Sequence, residues 1–480
     1  MAFVGNRLKD FAGVRPDDVA LKCGTATWTW QCLVDAIGSV ENLVRGATSR
    51  GGRVALLLDD PAALLICFLA CARTARIAMV LDPGWPDGQR KRVLNAVRPE
   101  LLIDTCSYSL VRQQEALENA VSALTEPNPA EIDPFYCGFT SGSTGTPKGY
   151  LRNHGSWLGS FEISKREFGI TEKSRIVLAG QLTHSLHLYG AVCGLANGHE
   201  VVLTPRFDPR SILVDLSGAD AAAALYATPT QLHFLAEAAE RHGPVETVHQ
   251  VLASGAKWQD RDRERLAETF PKAQLFEFYG ASETSFITIS GSAENTPPGS
   301  VGRPPSGIDI VIGDPDAPVP CGTVGAIWVK SNLLFSGYLC GKDPQTRWRD
   351  GWLTFGDEGY LDGNGFLFLT GRSNRMIVTS GLNVYPEEIE AALLSHPDVA
   401  AAIVIGLEDP VRGHRLVAAV QLGVPLKQAE DALLRYCRTR LAAGKLPRRI
   451  LVFENLPLTA GGKPDIQRVT RELSNRRGVE

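Results

Sequence analysis

Short apolar runs alternate with longer polar-faced segments along most of this chain. Residues 53–58 (RVALLL) form an unbroken apolar run of strand length and are the first recognisable strand; 61–74 is an apolar stretch of helical length. Residues 77–81 read as a second strand, 89–97 as a helix with a polar face and 101–104 as a further strand. The middle repeats the pattern: strand-like runs at 175–179, 200–203, 221–226, 249–253 and 274–278 are separated by helical runs such as 231–239 and 260–270. Strands buried on both faces read as continuous apolar runs, and their alternation with helices predicts parallel sheets covered on both sides. Ligands in such sheets sit beyond the carboxyl ends of the strands.

After about residue 291 the pattern changes to Pro/Gly-rich turns and short strands, among them 326–330 and 366–369, which predicts a small β subdomain. A third pattern follows: a helix near 386–394, strands at 400–405 and 416–422, a helix over 426–441 and a strand at 450–453. It reads as a separate small α/β domain, with the boundary inside 371–375. The expected organisation is a large N-terminal α/β domain (1–372) of parallel layered sheets with its β subdomain, followed by a small, mobile α/β domain (373–480).

Composition narrows the function classes. At 480 residues the chain is too long for one ordinary core. A net charge of −4 gives no drive toward nucleic acid or anionic membrane. The start (MAFVGNRLKDFAG) has no long apolar stretch, so a secretory signal is not expected, and the apolar run 62–72 is too short to span a bilayer. Ten cysteines are scattered without a metal-ligand cluster, as expected for reduced core thiols in a cytoplasmic protein.

The chemistry is concentrated in five segments. The first, 139–149, reads FTSGSTGTPKG. Gly142 and Gly145 permit tight turns, Thr140, Ser141, Ser143 and Thr144 supply hydroxyls, and Lys148 adds a positive charge. Consecutive backbone N–H groups in such a loop form an anion cradle. The spacing is not that of a Walker loop. The other four are FYGASET (278–284), GDEGYLDGNGFLFLTGR (356–372), SGLNVYPEEIE (380–390) and LPLTAGGKPD (456–465). Singly, each has a bland reading: Glu283 as a surface glutamate, Tyr279 as a core aromatic, Asp357 with Arg372 as a structural ion pair, Lys463 as an exposed lysine. Together and in this order, from about residue 81 to 463, they resemble the adenylate-forming superfamily of acyl-CoA synthetases, adenylation domains and luciferases.

That resemblance implies the site. Residues 140–148 would cradle the ATP phosphates, and Glu283, with Thr144, would hold Mg2+. Tyr279 would stack on adenine, Ser282 would contact the α-phosphate region, and Gly255, Ala256, Phe278 and Gly280 would complete the nucleotide side, with Gly280 also shaping the acyl pocket. Asp357 and Arg372 would bind the ribose. Lys463, on the flexible Gly461–Gly462 approach, would act with Glu283, Thr140 and the gate residue His184 as the catalytic group. Asn374 stands at the family's hinge position, where Asp or Lys is usual, and Phe355 stands where a Thr or Ser usually precedes the Gly-Asp pair.

The same resemblance bears on substrate and acceptor. Amino-acid-activating members carry an Asp just after the gate; this chain has Ser185. A non-amino aliphatic or aryl carboxylic acid is therefore expected, in a pocket drawn from His184, Ser185, Tyr226, Ala227, Gly255, Gly280, Thr284 and Phe286. Lys257 replaces a usual Pro, either as a surface lysine or facing an acidic substituent. SGLNVYPEEIE is closer in style to acyl- and aryl-CoA ligases, with Gly381 and Tyr385 along the pantetheine path. The expected activity is an AMP- and pyrophosphate-forming acid–CoA ligase using ATP, Mg2+ and coenzyme A. The alternative acceptor is the phosphopantetheine of an acyl carrier protein. A luciferase-like oxygenase and a non-catalytic nucleotide-binding protein are the readings from other classes.

Overall fold

Helix Pro61–Arg73 shows how the core is organised. The Asp60 carboxylate accepts from Ala62 N at 3.0 Å and Pro61 occupies the first turn, so capping residues start the helix. Every residue from Pro61 to Ala72 is buried. A helix apolar all round belongs inside, and this one packs against strands of two different sheets. Its thiols Cys67 and Cys71 are pushed up by burial, Cys71 to about 12, which makes them poor nucleophiles.

The structure is a computed structural model that describes residues 2–114, 126–140, 148–218, 220–255, 260–291, 295–379, 382–409, 413–458 and 465–475. One sheet has eight strands, in the order 288–291, 274–279, 248–253, 223–227, 175–178, 201–203, 19–23, 26–29. A second has six, in the order 337–340, 148–153, 134–140, 77–80, 53–57, 101–104. The interiors are parallel, as the apolar runs predict. Three of the four margins are not: 274–279 with 288–291, 19–23 with 26–29, 134–140 with 148–153, and 148–153 with 337–340 all pair antiparallel, while the fourth margin, 101–104, pairs parallel with 53–57. The connections 141–147 and 280–287 are too short for a parallel crossover, which needs a dozen or more residues. The first strand is Val19–Cys23, not 53–58, and an amphipathic helix, Trp30–Ala47, buries Trp30, Leu33, Ile37, Val40 and Val44 before the expected first strand begins.

Residues 308–372 form a seven-stranded sheet of antiparallel pairs, the expected β subdomain. Strand Leu367–Arg372 runs further than expected and carries Arg372 on its last position. From Ile377 onward the chain builds its own apolar clusters, one around Val384, Ile389, Leu393, Val404 and Leu433 and another around Ile403, Val417, Phe453 and Val469. Helix Pro386–Leu394 falls where expected. The helix expected over 426–441 is only Ala429–Arg438, because Gln428 is left-handed (φ +48°) before its first turn. Among the described residues no helix is long and apolar enough to cross a membrane.

Three histidines of the large unit, His154, His187 and His199, are buried, and burial lowers the pKa of each. His154 accepts from Val4 N at 3.1 Å and stacks on Phe135; burial lowers its pKa to about 4. His187, 3.2 Å from Gln231 Oε1, is lowered to about 3, by burial first and then by the neighbouring His184. Between these values and the ordinary 6.5 the unfolded chain binds more protons than the folded one, so stability falls as pH drops through that window. His154 and His187 should each cost about 2 kcal/mol at about pH 5. Unfolding midpoints measured from pH 7.5 to 5 should fall, and His187→Asn should flatten the slope without abolishing it, because His154 and His199 still contribute.

Candidate active site

The carboxyl ends of 248–253 and 274–279, the hairpin of 357–361 and 367–372, and the two ends of the 141–147 connection carry most of the described candidates. Asp357 and Arg372 face each other in antiparallel register. Arg372 Nε lies 2.9 Å from Asp357 Oδ1, and the Tyr279 hydroxyl, arriving from the eight-stranded sheet, donates to Asp357 Oδ2 at 2.6 Å. The carboxylate is buried while the guanidinium is exposed. Burial pushes the Asp357 pKa up and Arg372 opposes that rise; the Asp357 charge raises the Arg372 pKa. Asp357 Oδ1 has no aligned hydrogen bond among the described residues, leaving a buried acceptor beside a fork of donors. That donor set fits a ribose diol.

The segment from Gly280 to Ser285 is a compact turn. The amides of Thr284 and Ser285 both donate to the Ala281 carbonyl, Thr284 Oγ1 caps Ala281 N at 2.9 Å, and Ile287 N closes on Tyr279 O. A Cβ on Gly280 would stand 1.8 Å from the Ser285 carbonyl oxygen, so this backbone approach requires glycine. Glu283 is buried; its carbonyl accepts from Phe335 N and its Oε1 from the Tyr338 hydroxyl at 2.8 Å. One carboxylate with an oxygen to spare suits Mg2+, which takes few protein ligands and completes its shell with phosphate oxygens and water. Among the described residues no cluster of three or more His, Cys, Asp and Glu forms a metal cage.

Thr140 ends one strand and Lys148 opens the next, paired with each other across the ladder. Thr140 Oγ1 is buried without a partner among the described residues, and Lys148 forms an ion pair with Asp343. His184 is the exposed N-cap residue of helix Ser185–Ala196. His187, one turn further on, is the buried one, held by Gln231 from the capping box of helix Pro229–His242. Gly255 turns the chain at φ +103° after 248–253. Phe278 packs edge-on against Phe286, 4.9 Å away, in an aromatic cluster that includes Phe168 and Tyr189. Tyr226, Ala227 and Thr284 are buried and Ser185 half-buried. Ser141, Gly142, Ser143, Thr144, Gly145, Ala256, Lys257, Gly381 and Lys463 lie outside the described residues.

Sequence reasoning missed Arg152, Tyr338 and Asp343. Arg152 had a signal, since a strand through Lys148 places residues 148, 150 and 152 on one face. The other two had none, because their partners lie 55 and 195 positions away.

This fold and this residue set define an adenylate-forming enzyme. Residues 8–339 match the AMP-binding enzyme family and residues 388–463 its C-terminal domain, and the chain belongs to that family. It is 34% identical to the uncharacterized acyl-CoA ligase YhfT of Bacillus subtilis, across 96% of each chain. It is 30% identical to 2-succinylbenzoate–CoA ligase of Bacillus velezensis, across 86% of each. Among solved structures it is similar to o-succinylbenzoate CoA synthetase of Bacillus subtilis in complex with its acyl-adenylate intermediate (TM-score 0.86, 28% identity, 99% of each chain). It is also similar to the same enzyme with ATP and a magnesium ion (TM-score 0.84, 28% identity, 96% of this chain and 98% of that one).

Removing the charge at Asp357 tests the ribose assignment. Asp357→Asn should weaken AMP binding by about 10- to 100-fold, the worth of one or two charge-assisted hydrogen bonds. Calorimetric titration with AMP checks it, and an unchanged affinity would remove Asp357 from the nucleotide site.

Proposed function

We propose that the chain activates a non-amino aliphatic or aryl carboxylic acid with ATP and passes the acyl group to coenzyme A. The observation that carries this reading is the Tyr279–Asp357–Arg372 constellation beside the turn that bears Glu283. In the first half-reaction a carboxylate oxygen bonds to the α-phosphorus and the bond to pyrophosphate breaks, giving acyl-adenylate. In the second, the coenzyme A thiolate bonds to the acyl carbon and AMP leaves. The first step builds negative charge around phosphorus, so positioned cations and donors carry most of the catalysis.

The residues divide that work. Asp357 and Arg372 hold the ribose, and Tyr279, fixed through its hydroxyl, presents its ring to adenine. Thr140 and Lys148 bracket the phosphate segment. Glu283 would hold Mg2+, which when bound supplies charge neutralisation at the phosphates. Lys463 supplies the cation aimed at the α-phosphate, and His184 gates the acid pocket. Residues beyond Arg372 rotate between the half-reactions about Asn374, which lies in an exposed turn where the amides of Arg375 and Met376 fold back onto the Arg372 carbonyl. Ser185 at the gate, where amino-acid-activating members carry Asp, supports a non-amino acid.

Mass spectrometry after incubation with ATP, magnesium, coenzyme A and a panel of aliphatic and aryl acids should show an acyl-CoA and AMP with one acid group. Acyl-adenylate that accumulates without a coenzyme A thioester would move the acceptor to a carrier-protein phosphopantetheine. The role of Lys463 is tested separately. Lys463→Ala should cut acid-dependent pyrophosphate release by roughly 100- to 1,000-fold. Thioester formation from supplied acyl-adenylate should stay within about threefold, because Lys463 acts on the phosphate and not on the acyl carbon. Normal pyrophosphate release by the variant would contradict the assignment.

A further inference from the structure

Strand Lys148–Asn153 leaves the phosphate segment with Lys148, Tyr150 and Arg152 on one face. All three reach into the site. Lys148 pairs with Asp343. The Tyr150 phenol lies 2.8 Å from that of Tyr136. Arg152 is 2% exposed and spends its donors on the underside of the 280–285 turn. Nη1 donates to the Ser282 carbonyl at 2.9 Å; Nη2 donates to Ser285 Oγ at 2.6 Å and to the Leu333 carbonyl at 2.7 Å; Nε donates to Ser156 Oγ at 3.2 Å.

These contacts join the two supports of Glu283. On one side is the turn itself, in which Ser285 is held left-handed at φ +58°, an unfavoured conformation for a residue with a Cβ. On the other is the 333–338 segment, which donates Phe335 N to the Glu283 carbonyl and the Tyr338 hydroxyl to its carboxylate. Among the described residues Arg152 has no ion-pair partner, although a guanidinium in a buried position is costly without one. Its hydrogen-bond partners are carbonyls and hydroxyls that define a backbone shape, and the nearby Glu283 charge partly offsets the effect of burial on it.

We propose that Arg152 is a positioning residue for the metal–nucleotide end of the site. It presets the Ser282–Ser285 backbone and the 333–338 segment, so that Glu283 and the Ser282 hydroxyl face the triphosphate before ATP arrives. The proposal rests on the assignment of Glu283 as the Mg2+ ligand. Residues that orient a ligating carboxylate typically change metal affinity by about 10- to 100-fold, while the ribose and adenine contacts do not involve Arg152.

The test is binding, read by calorimetry with adenosine alone and with ATP titrated at rising magnesium, on the full chain. Arg152→Met should bind adenosine within about twofold of wild type but need about tenfold more magnesium for half-maximal ATP binding. Arg152→Lys, which keeps the charge and loses the fork, should recover part of that. Ser285→Ala, which removes one acceptor and leaves Arg152 in place, should raise the magnesium requirement about threefold. A folded Arg152→Met with wild-type magnesium dependence would overturn the proposal. If Arg152→Met does not fold, an unchanged requirement in Ser285→Ala overturns it instead. Failure of the wild-type protein itself to bind ATP with magnesium would remove the functional reading and this proposal with it.

Discussion

A buried carboxylate must be partnered, and the site is organised around one. Asp357 is buried where the β subdomain meets the eight-stranded sheet. Its partners come from both: Arg372 from the opposite position of its own hairpin, Tyr279 from the end of 274–279. The carboxylate is costly to leave unpaired, so its ion pair and hydrogen bond fix the subdomain against the sheet edge. The same contacts bring an aromatic ring, a carboxylate acceptor and a donor fork to one place, the place proposed above for adenine and ribose.

The 280–285 turn imposes the second constraint. It joins two antiparallel strands, which is why the edge of the sheet reverses where parallel pairing was expected. Its tightness explains two residues that would otherwise be hard to place. Gly280 is glycine because the Ser285 carbonyl occupies the position of a Cβ. Ser285 tolerates a left-handed backbone because Arg152 holds its hydroxyl. Glu283 is buried at the apex with its carbonyl and one carboxylate oxygen already committed. A carboxylate held at both ends has a remaining oxygen that needs little further ordering for the Mg2+ role proposed for it.

Much of this was legible in the sequence, for physical reasons. The inner strands 53–57, 77–80 and 274–279 are buried on both faces, so their apolar runs survive as a signal. Helix Pro386–Leu394 was legible from the Pro and acidic residues of its first turn. Tyr279, Asp357 and Arg372 were legible because they sit in motifs, and the structure brings them together. The N-terminal hairpin 19–29 was not, because its second strand is only four residues long and half exposed. The 30–47 helix did carry a 3.6-residue apolar stripe that went unread. Arg152, Tyr338 and Asp343 act through pairings across 55 to 195 residues, which no local pattern encodes.

An adenylate-forming enzyme activates its acid by forming a bond to the α-phosphorus of ATP, and oxygen tracing follows that bond. With a substrate acid carrying 18O in both carboxylate oxygens, turnover in the presence of ATP, magnesium and coenzyme A should place one labelled oxygen in the AMP released and none in pyrophosphate. Unlabelled AMP, or ADP with label in inorganic phosphate, would mean that the acid attacks elsewhere and would contradict the adenylate-forming mechanism.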